Sequence, residues 1–280
     1  MNTSCTLNVA GRLLSLEKPI VMGIINVSPD SFYTRGKYEG LERILAESDK
    51  MCNDGATIID IGGMSTRPGA SEIGLQEEVD RVVPVIEAIR RQHKDVVLSI
   101  DTYRSKVAEY AVEAGATMIN DISAATTDAA IIDIAVRNNI PYVAMHMQGR
   151  PSTMQLNPVY ENVVEDVLSF FAERARYFHS RSLYDWILDL GFGFGKTLAH
   201  NYSLMKHLQD FGVLGRPLLI GVSRKSMLCK LLDITPDESL NATTALHMSA
   251  LHGGARILRV HDVKEAMECI QVFNALMESE

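Results

Sequence analysis

Long apolar runs are missing from this sequence. The longest, such as Ile20–Ile25 and Pro217–Val222, fall far short of the ~18 residues that a membrane-spanning helix needs. No membrane partner is expected. Basic charge is also scarce: 27 Lys and Arg stand against 35 Asp and Glu in 280 residues, a formal net charge of −8. A nucleic-acid partner needs a basic face that releases counterions from phosphates, so none is expected. Cysteine is sparse. Cys5, Cys52, Cys229 and Cys269 lie far apart with no C-x-x-C pair, which points to free thiols. With 9 Pro and 19 Gly the chain is not low-complexity. The opening Met1-Asn2-Thr3-Ser4-Cys5 has no basic stretch leading into an apolar one, so a cytoplasmic location is expected.

What is present is a regular alternation. Eight short apolar runs read as strands: Ile20–Ile25, Thr57–Ile61, Val96–Ile100, Thr117–Ile119, Tyr142–Met145, Trp186–Leu188, Leu218–Gly221 and Ala255–Leu258. Segments of helical period lie between them. Glu77–Arg91 sets Val79, Val82, Val83, Ile86 and Ile89 on one face, with Glu78, Asp80, Arg81 and Arg90 elsewhere. Ser105–Ala114, Asp128–Arg137, Val159–Phe178, Leu198–Leu208, Leu240–Leu251 and Val263–Leu276 follow the same rule.

Continuous apolar strands alternating with helices imply a parallel sheet covered on both faces. Eight strands close a (β/α)8 TIM barrel. A doubly wound open sheet is the alternative, and no G-x-G-x-x-G follows the first strand to support it. One domain, residues 1–280, is expected. Residues 5–16, with Ala10-Gly11 at their centre, read as a short N-terminal β-hairpin plugging the barrel bottom.

In a barrel the chemistry sits just past the strand ends. Those positions are polar on all eight strands: Asn26, Asp60, Asp101-Thr102, Asn120-Asp121, His146, Asp189, Ser223-Arg224-Lys225-Ser226 and Arg259-Val260-His261. A single Asp or Asn there is an ordinary turn former or helix cap; eight in eight is not. Asp101, Asn120 and Asp189 suit the amino-pyrimidine edge of a planar ligand. Arg67, Lys225, Arg259 and His261, with Asn26, form a cationic rim suited to phosphate or diphosphate. Met145 is placed to line a flat pocket.

Other motifs fail. Gly195-Lys196-Thr197 ends like a phosphate-binding P-loop, but position 190 is Leu190 rather than the first glycine. His247 and His252 are five apart and do not share a helix face as metal ligands.

The strand-end pieces occur together as Gly23-Ile24-Ile25-Asn26-Val27-Ser28-Pro29-Asp30-Ser31-Phe32, Ser65-Thr66-Arg67-Pro68-Gly69, Ser99-Ile100-Asp101-Thr102, Ile119-Asn120-Asp121, Gly191-Phe192-Gly193-Phe194-Gly195-Lys196-Thr197, Ser223-Arg224-Lys225-Ser226 and Arg259-Val260-His261. In this order the chain resembles the dihydropteroate synthases. The resemblance implies a barrel that joins 6-hydroxymethyl-7,8-dihydropterin diphosphate to p-aminobenzoate in folate biosynthesis, with Mg²⁺, as a homodimer and sulfonamide target.

It implies pterin binding by Asp101, Asn120, Asp189, Lys225 and Met145. Diphosphate falls to Asn26, Thr66, Arg67, Arg259 and His261, with Asn26 also the metal ligand. Thr66, Arg67, Pro68, Phe194, Lys225 and Ser226 border p-aminobenzoate, and Asp101, Lys225, Arg67 and Asp189 carry the catalytic roles. Asp30, Ser31 and Phe32 belong to a mobile first loop. The chain departs from the family pattern at Tyr33-Thr34-Arg35-Gly36, Met64 and Leu190. A pterin-dependent methyltransferase of the same fold, a Schiff-base aldolase using Lys225, and a non-catalytic pterin-binding paralogue are the alternatives.

Overall fold

The computed structural model describes residues 6–27, 37–64, 73–149, 154 and 158–279. Two strands, β1 (Thr6–Val9) and β2 (Arg12–Ser15), pair antiparallel with Val9 opposite Arg12. Their two-residue turn has positive φ at both Ala10 and Gly11, which matches the right-handed twist of the arms. The hairpin expected from sequence is therefore present.

Eight parallel strands follow and close into a barrel. They are β3 (Ile20–Asn26), β4 (Ile58–Gly62), β5 (Val97–Asp101), β6 (Met118–Asp121), β7 (Tyr142–Met145), β8 (Trp186–Asp189), β9 (Leu218–Ile220) and β10 (Ala255–Val260). Closure is between β10 and β3, with Val260 beside Gly23. The outer helices are α1 (Lys37–Asn53), α2 (Leu75–Gln92), α3 (Ser105–Glu113), α4 (Ile131–Asn138), α5 (Val163–Ser180), α6 (Leu198–Lys206), α7 (Ser226–Leu232), α8 (Leu240–His252) and α9 (Val263–Glu278). The open sheet is excluded.

Side-chain alternation along the strands sorts the barrel into layers. Every strand sends one apolar residue into the bottom: Met22, Ile58, Val97, Met118, Val143, Ile187, Leu219 and Ile257. Leu7, Val9 and Leu16 of the hairpin seal this layer from below. Odd-numbered neighbours such as Ile59, Ile61 and Ile119 face outward and join the helices in the main core. Two steps above the bottom layer the inward positions turn polar, at Asp60, Ser99, Asn120 and Arg259. The barrel is thus sealed and apolar at one end and polar at the other, which positions the site at the strand C-termini.

Helix α2 corrects one expectation. Val79, Val82, Ile86 and Ile89 are buried as anticipated, but so are Glu78 and Arg81. Glu78 accepts from Thr102 Oγ1 at 2.7 Å and from Arg104 Nη1 at 2.8 Å. Arg81 Nη1 donates to Gly63 O at 2.9 Å. Glu78 is ion-paired with Arg104 and Arg81 with Glu77, and these pairs offset the desolvation that puts isolated charges on the solvent face.

Candidate active site

Arg259, on β10, crosses the mouth of the barrel. Its Nε donates to Asp60 Oδ2 and its Nη2 to Asp101 Oδ2, both at 2.7 Å. Asn120 Nδ2 donates to the same Asp60 oxygen at 2.9 Å. Four strands are tied together by these three bonds. Asp101 is pushed up to about 7, first by burial and then by Asp60, Glu78 and Asp121, with Arg259 opposing. Burial by itself pulls the Arg259 guanidinium pKa down, but Asp60 and Asp101 more than offset this and hold it charged.

Asp189 ends β8, and its Oδ1 accepts from Gly191 N at 2.8 Å. Burial raises its carboxyl above the ordinary range, against the pull of that N–H and of Arg259 and Lys225. Lys225, at the N-cap of α7, is lowered to about 8 by burial and then by Arg259. Its Nζ lies 4.3 Å from the centroid of the Phe194 ring. Arg224 plays no part in this, because its guanidinium is held by Asp262 at 2.7 Å and Asp237 at 3.1 Å.

Beside these polar groups stands an apolar wall of Ile122, Met145, Met154 and Phe194, backed by Tyr103 and Met147. The site therefore combines a flat apolar face with acceptors and a cation at its edge. That is the chemistry of a heteroaromatic ring with amino and N–H groups on one side.

His261 joins the rim in a different state from the expected cation. Its backbone N–H donates to Ser223 Oγ at 3.2 Å, and Nδ1 also lies 3.2 Å from that oxygen. A Ser223 hydroxyl that donates to Nδ1 puts the ring proton on Nε2. Burial, then Arg259 and Arg224, lower its pKa to about 4. His261 is thus a neutral N–H donor at neutral pH. Asn26, at the top of β3, is exposed at the mouth. Ser226 opens α7 at the rim and is also exposed.

The loop after β8 is built around a buried cation. Lys196 Nζ reaches His146 Nδ1 at 2.9 Å and the carbonyls of Gly191, Phe194 and His146 at 2.9, 3.1 and 3.2 Å. Burial lowers Lys196 to about 7 and, with Lys196 beside it, His146 to about 2. The Gly195-Lys196-Thr197 run is thus a loop pin.

Asp101, Asn120, Asp189, Lys225, Met145, Phe194, Arg259, His261 and Asn26 are brought to one mouth. Thr66, Arg67, Pro68, Asp30, Ser31 and Phe32 lie outside the described residues. Sequence reasoning named Asp60 and Lys196 but gave neither a role in the site, and it passed over Ile122 and Met154. Asp60 had a signal, a carboxylate on an otherwise apolar strand; the wall residues had none beyond hydrophobicity. Asp121 is a strand-end acid with a structural task, because Tyr142 Oη donates to it at 2.5 Å and the Ser123 and Ala125 N–H groups at 2.7 and 2.9 Å.

Fold and site together define a pterin-binding barrel enzyme. The sequence profile of the pterin binding enzyme family matches residues 22–261. The dihydropteroate synthase of Haemophilus influenzae is 44% identical over 266 residues, 94% of this chain and 96% of that protein. The dihydropteroate synthase of Yersinia pestis, solved with a sulfonamide drug, superposes with a TM-score of 0.91 at 42% identity, covering 98% and 100% of the two chains. That of Xanthomonas albilineans, solved with 4-aminobenzoic acid, gives 0.91 at 38% identity over 99% and 100%. The chain belongs to the dihydropteroate synthase family.

Proposed function

We propose that the chain, as one domain over residues 1–280, condenses 6-hydroxymethyl-7,8-dihydropterin diphosphate with p-aminobenzoate in folate biosynthesis. The observation that carries this reading is the set of buried Asn120 and Asp189 with half-buried Asp101 and Lys225, beside the apolar Ile122 and Met145. It supplies edge acceptors and a flat face for one pterin ring.

The bond that breaks joins the pterin methylene carbon to the diphosphate oxygen, and diphosphate leaves with the electron pair. The amine lone pair of p-aminobenzoate forms the new C–N bond, and the amine loses one proton. An aromatic amine is already unprotonated at neutral pH, so the barrier lies in expelling diphosphate. Arg259 offers Nη1, which meets no acceptor among the described residues, and His261 offers its Nε2 proton. Donors fixed in place before the reaction stabilise the departing charge without reorganising. Asp101 and Asp189, as carboxylates, stabilise positive charge developing on the pterin methylene. Phe194, Lys225 and Ser226 border the amine. On family grounds Thr66 and Arg67 join the diphosphate site, and Thr66, Arg67 and Pro68 the p-aminobenzoate site. On the same family grounds Asp30, Ser31 and Phe32 are assigned to the first loop.

No group of three or more His, Cys, Asp or Glu suited to a metal occurs among the described residues. The Asn26 amide oxygen is a hard donor at the mouth and fits Mg²⁺, which favours one or two protein oxygens plus substrate phosphates and water. Asn26 would hold the ion, which supplies charge neutralisation of the diphosphate. No helix of the described residues is long and apolar enough to cross a membrane, consistent with a cytoplasmic enzyme. A homodimer is the proposed assembly, with exposed Val272, Leu276 and Met277 on α9 offering an apolar face. Sulfonamides are proposed to take the p-aminobenzoate position.

The test is diphosphate release by the purified chain with Mg²⁺. Release that requires both substrates supports the reading. Release without p-aminobenzoate, or none with both present, refutes it.

A further inference from the structure

Asp60 is a charged residue fully buried in β4, two steps above the apolar barrel bottom. Burying a carboxylate is costly unless it is paired. Its pairing is one-sided. Oδ2 accepts both from Arg259 Nε at 2.7 Å and from Asn120 Nδ2 at 2.9 Å, while Oδ1 has no partner among the described residues. A half-satisfied buried carboxylate calls for an explanation other than stability.

The explanation lies in Asn120. Its amide carries donors on one atom and an acceptor on the other, and nothing in its own shape decides which way it turns. A carboxylate oxygen only accepts, so the atom facing Asp60 must be Nδ2. Asn120 Oδ1 is therefore turned away from Asp60, and it accepts no hydrogen bond among the described residues. Arg259 strengthens the constraint from the other side, since it also donates to Oδ2 and keeps that oxygen in place. Asn120 belongs to the ligand-facing layer, beside Asp101 across the β5–β6 ladder.

We propose that Asp60 is a positioning residue that fixes the amide of Asn120 with its oxygen toward the ligand, so that the pocket selects a ring presenting an N–H at that point. This rests on the pterin reading of the site. Asp60 does not touch the ligand; it sets the donor–acceptor sense of a residue that does.

The acceptor, and not the charge, does the positioning. Asp60→Asn places an amide oxygen where Oδ2 stands and should keep the affinity for 6-hydroxymethyl-7,8-dihydropterin diphosphate within about threefold of wild type. Asp60→Leu removes the acceptor at similar volume and frees Asn120 to turn. Losing a directed hydrogen bond at a buried site should weaken binding at least about tenfold by calorimetry. In an Asn120→Ala background, Asp60→Leu should cost no more than about threefold further for 6-hydroxymethyl-7,8-dihydropterin without its diphosphate, because the Arg259 contact to the diphosphate is then not read and the remaining effect runs through Asn120. A merely structural role would give additive losses. Should Asp60→Leu not fold, NMR of the ligand-free wild type decides. The Asn120 amide protons, assigned from their absence in Asn120→Ala, should exchange slowly with solvent.

Three results overturn the proposal: unchanged affinity in folded Asp60→Leu, additive losses in the double variant, or Asn120 amide protons exchanging at the rate of a free side chain. If wild type itself does not bind the pterin diphosphate, the functional reading falls and this inference falls with it. If wild type binds and Asp60→Leu binds equally well, only the role of Asp60 falls.

Discussion

Lys225 Nζ stands 4.3 Å from the centroid of the Phe194 ring, joining the loop after β9 to the loop after β8. A cation over an aromatic face gains up to about 2 kcal/mol when desolvated. The contact places the pterin's cationic neighbour and the wall of the amine site in one unit. Phe194→Leu should weaken p-aminobenzoate use by about tenfold at most and leave pterin affinity nearly unchanged. Lys225→Gln should lower pterin diphosphate affinity by about tenfold or more. Calorimetry with each ligand separates the two, and equal losses in Phe194→Leu would contradict the division.

The pH profile should carry the mark of Asp101. With its carboxyl at about 7, its negative charge fades as pH drops, and kcat/KM for the pterin diphosphate should fall below about pH 7. Lys225, near 8, adds a decline on the alkaline side. Asp101→Asn should lose most activity and flatten the acid limb. The stability consequence has a definite sign. A folded value above the ordinary 3.8 means that Asp101's contribution is fullest below pH 3.8 and is lost as pH rises through about 7. Asp101→Asn should therefore raise Tm relative to wild type at pH 8 more than at pH 5, which thermal melts will check.

Gly191 is the tightest point of the site. Its φ is +66, and an added Cβ would lie 2.0 Å from His146 O. Backbone must move to accept any side chain, and the loop that moves carries Asp189's N–H partner and Phe194. Gly191→Ala should cost at least about 1–3 kcal/mol of stability and lower pterin affinity together. Denaturant unfolding and calorimetry on the same preparation test the coupling. Wild-type stability in this variant would contradict the described loop.

The hairpin should behave in the opposite way. Leu16 is fully buried against the barrel bottom, far from the mouth. Leu16→Ala should cost about 2–5 kcal/mol of stability while leaving KM for both substrates unchanged. A changed KM would mean that the bottom of the barrel communicates with its mouth.

The barrel was legible because parallel strands buried on both faces leave short apolar runs at βα spacing. The strands extend past the expected ends through polar residues, as in β6 to Asp121 and β8 to Asp189. The ladder is made by backbone groups, so it continues where the inward side chains turn polar: Met145 pairs with Asp189 and Gly62 with Asp101. In these two strands hydrophobicity ends one or two steps before the sheet does. Helix α1 carries its own stripe, Leu41, Ile44, Leu45 and Met51, but Glu39, Glu42, Arg43, Glu47, Asp49 and Lys50 dilute it, and no expectation covers it. Helix α5 starts at Val163 because Asn162 caps it, with Oδ1 accepting from Val164 N and Glu165 N. The residue types of the site were readable at the strand ends. Their pairing was not: that Arg259 would be shared between Asp60 and Asp101 depends on the barrel closing β10 onto β3. That closure brings together residues 158 and 199 positions apart.

On the reading proposed above, the polar layer above a sealed barrel binds the pterin, and the chain makes dihydropteroate. Turnover of labelled p-aminobenzoate by wild type and Asp189→Ala, each checked for the same Tm, tests it most directly. Wild type should form labelled 7,8-dihydropteroate in step with diphosphate. Folded Asp189→Ala should lose about a hundredfold or more, as a buried carboxylate making two charge-assisted bonds at roughly 1.5–3 kcal/mol each implies. Product formation by Asp189→Ala at the wild-type rate, or none by wild type, would contradict the account.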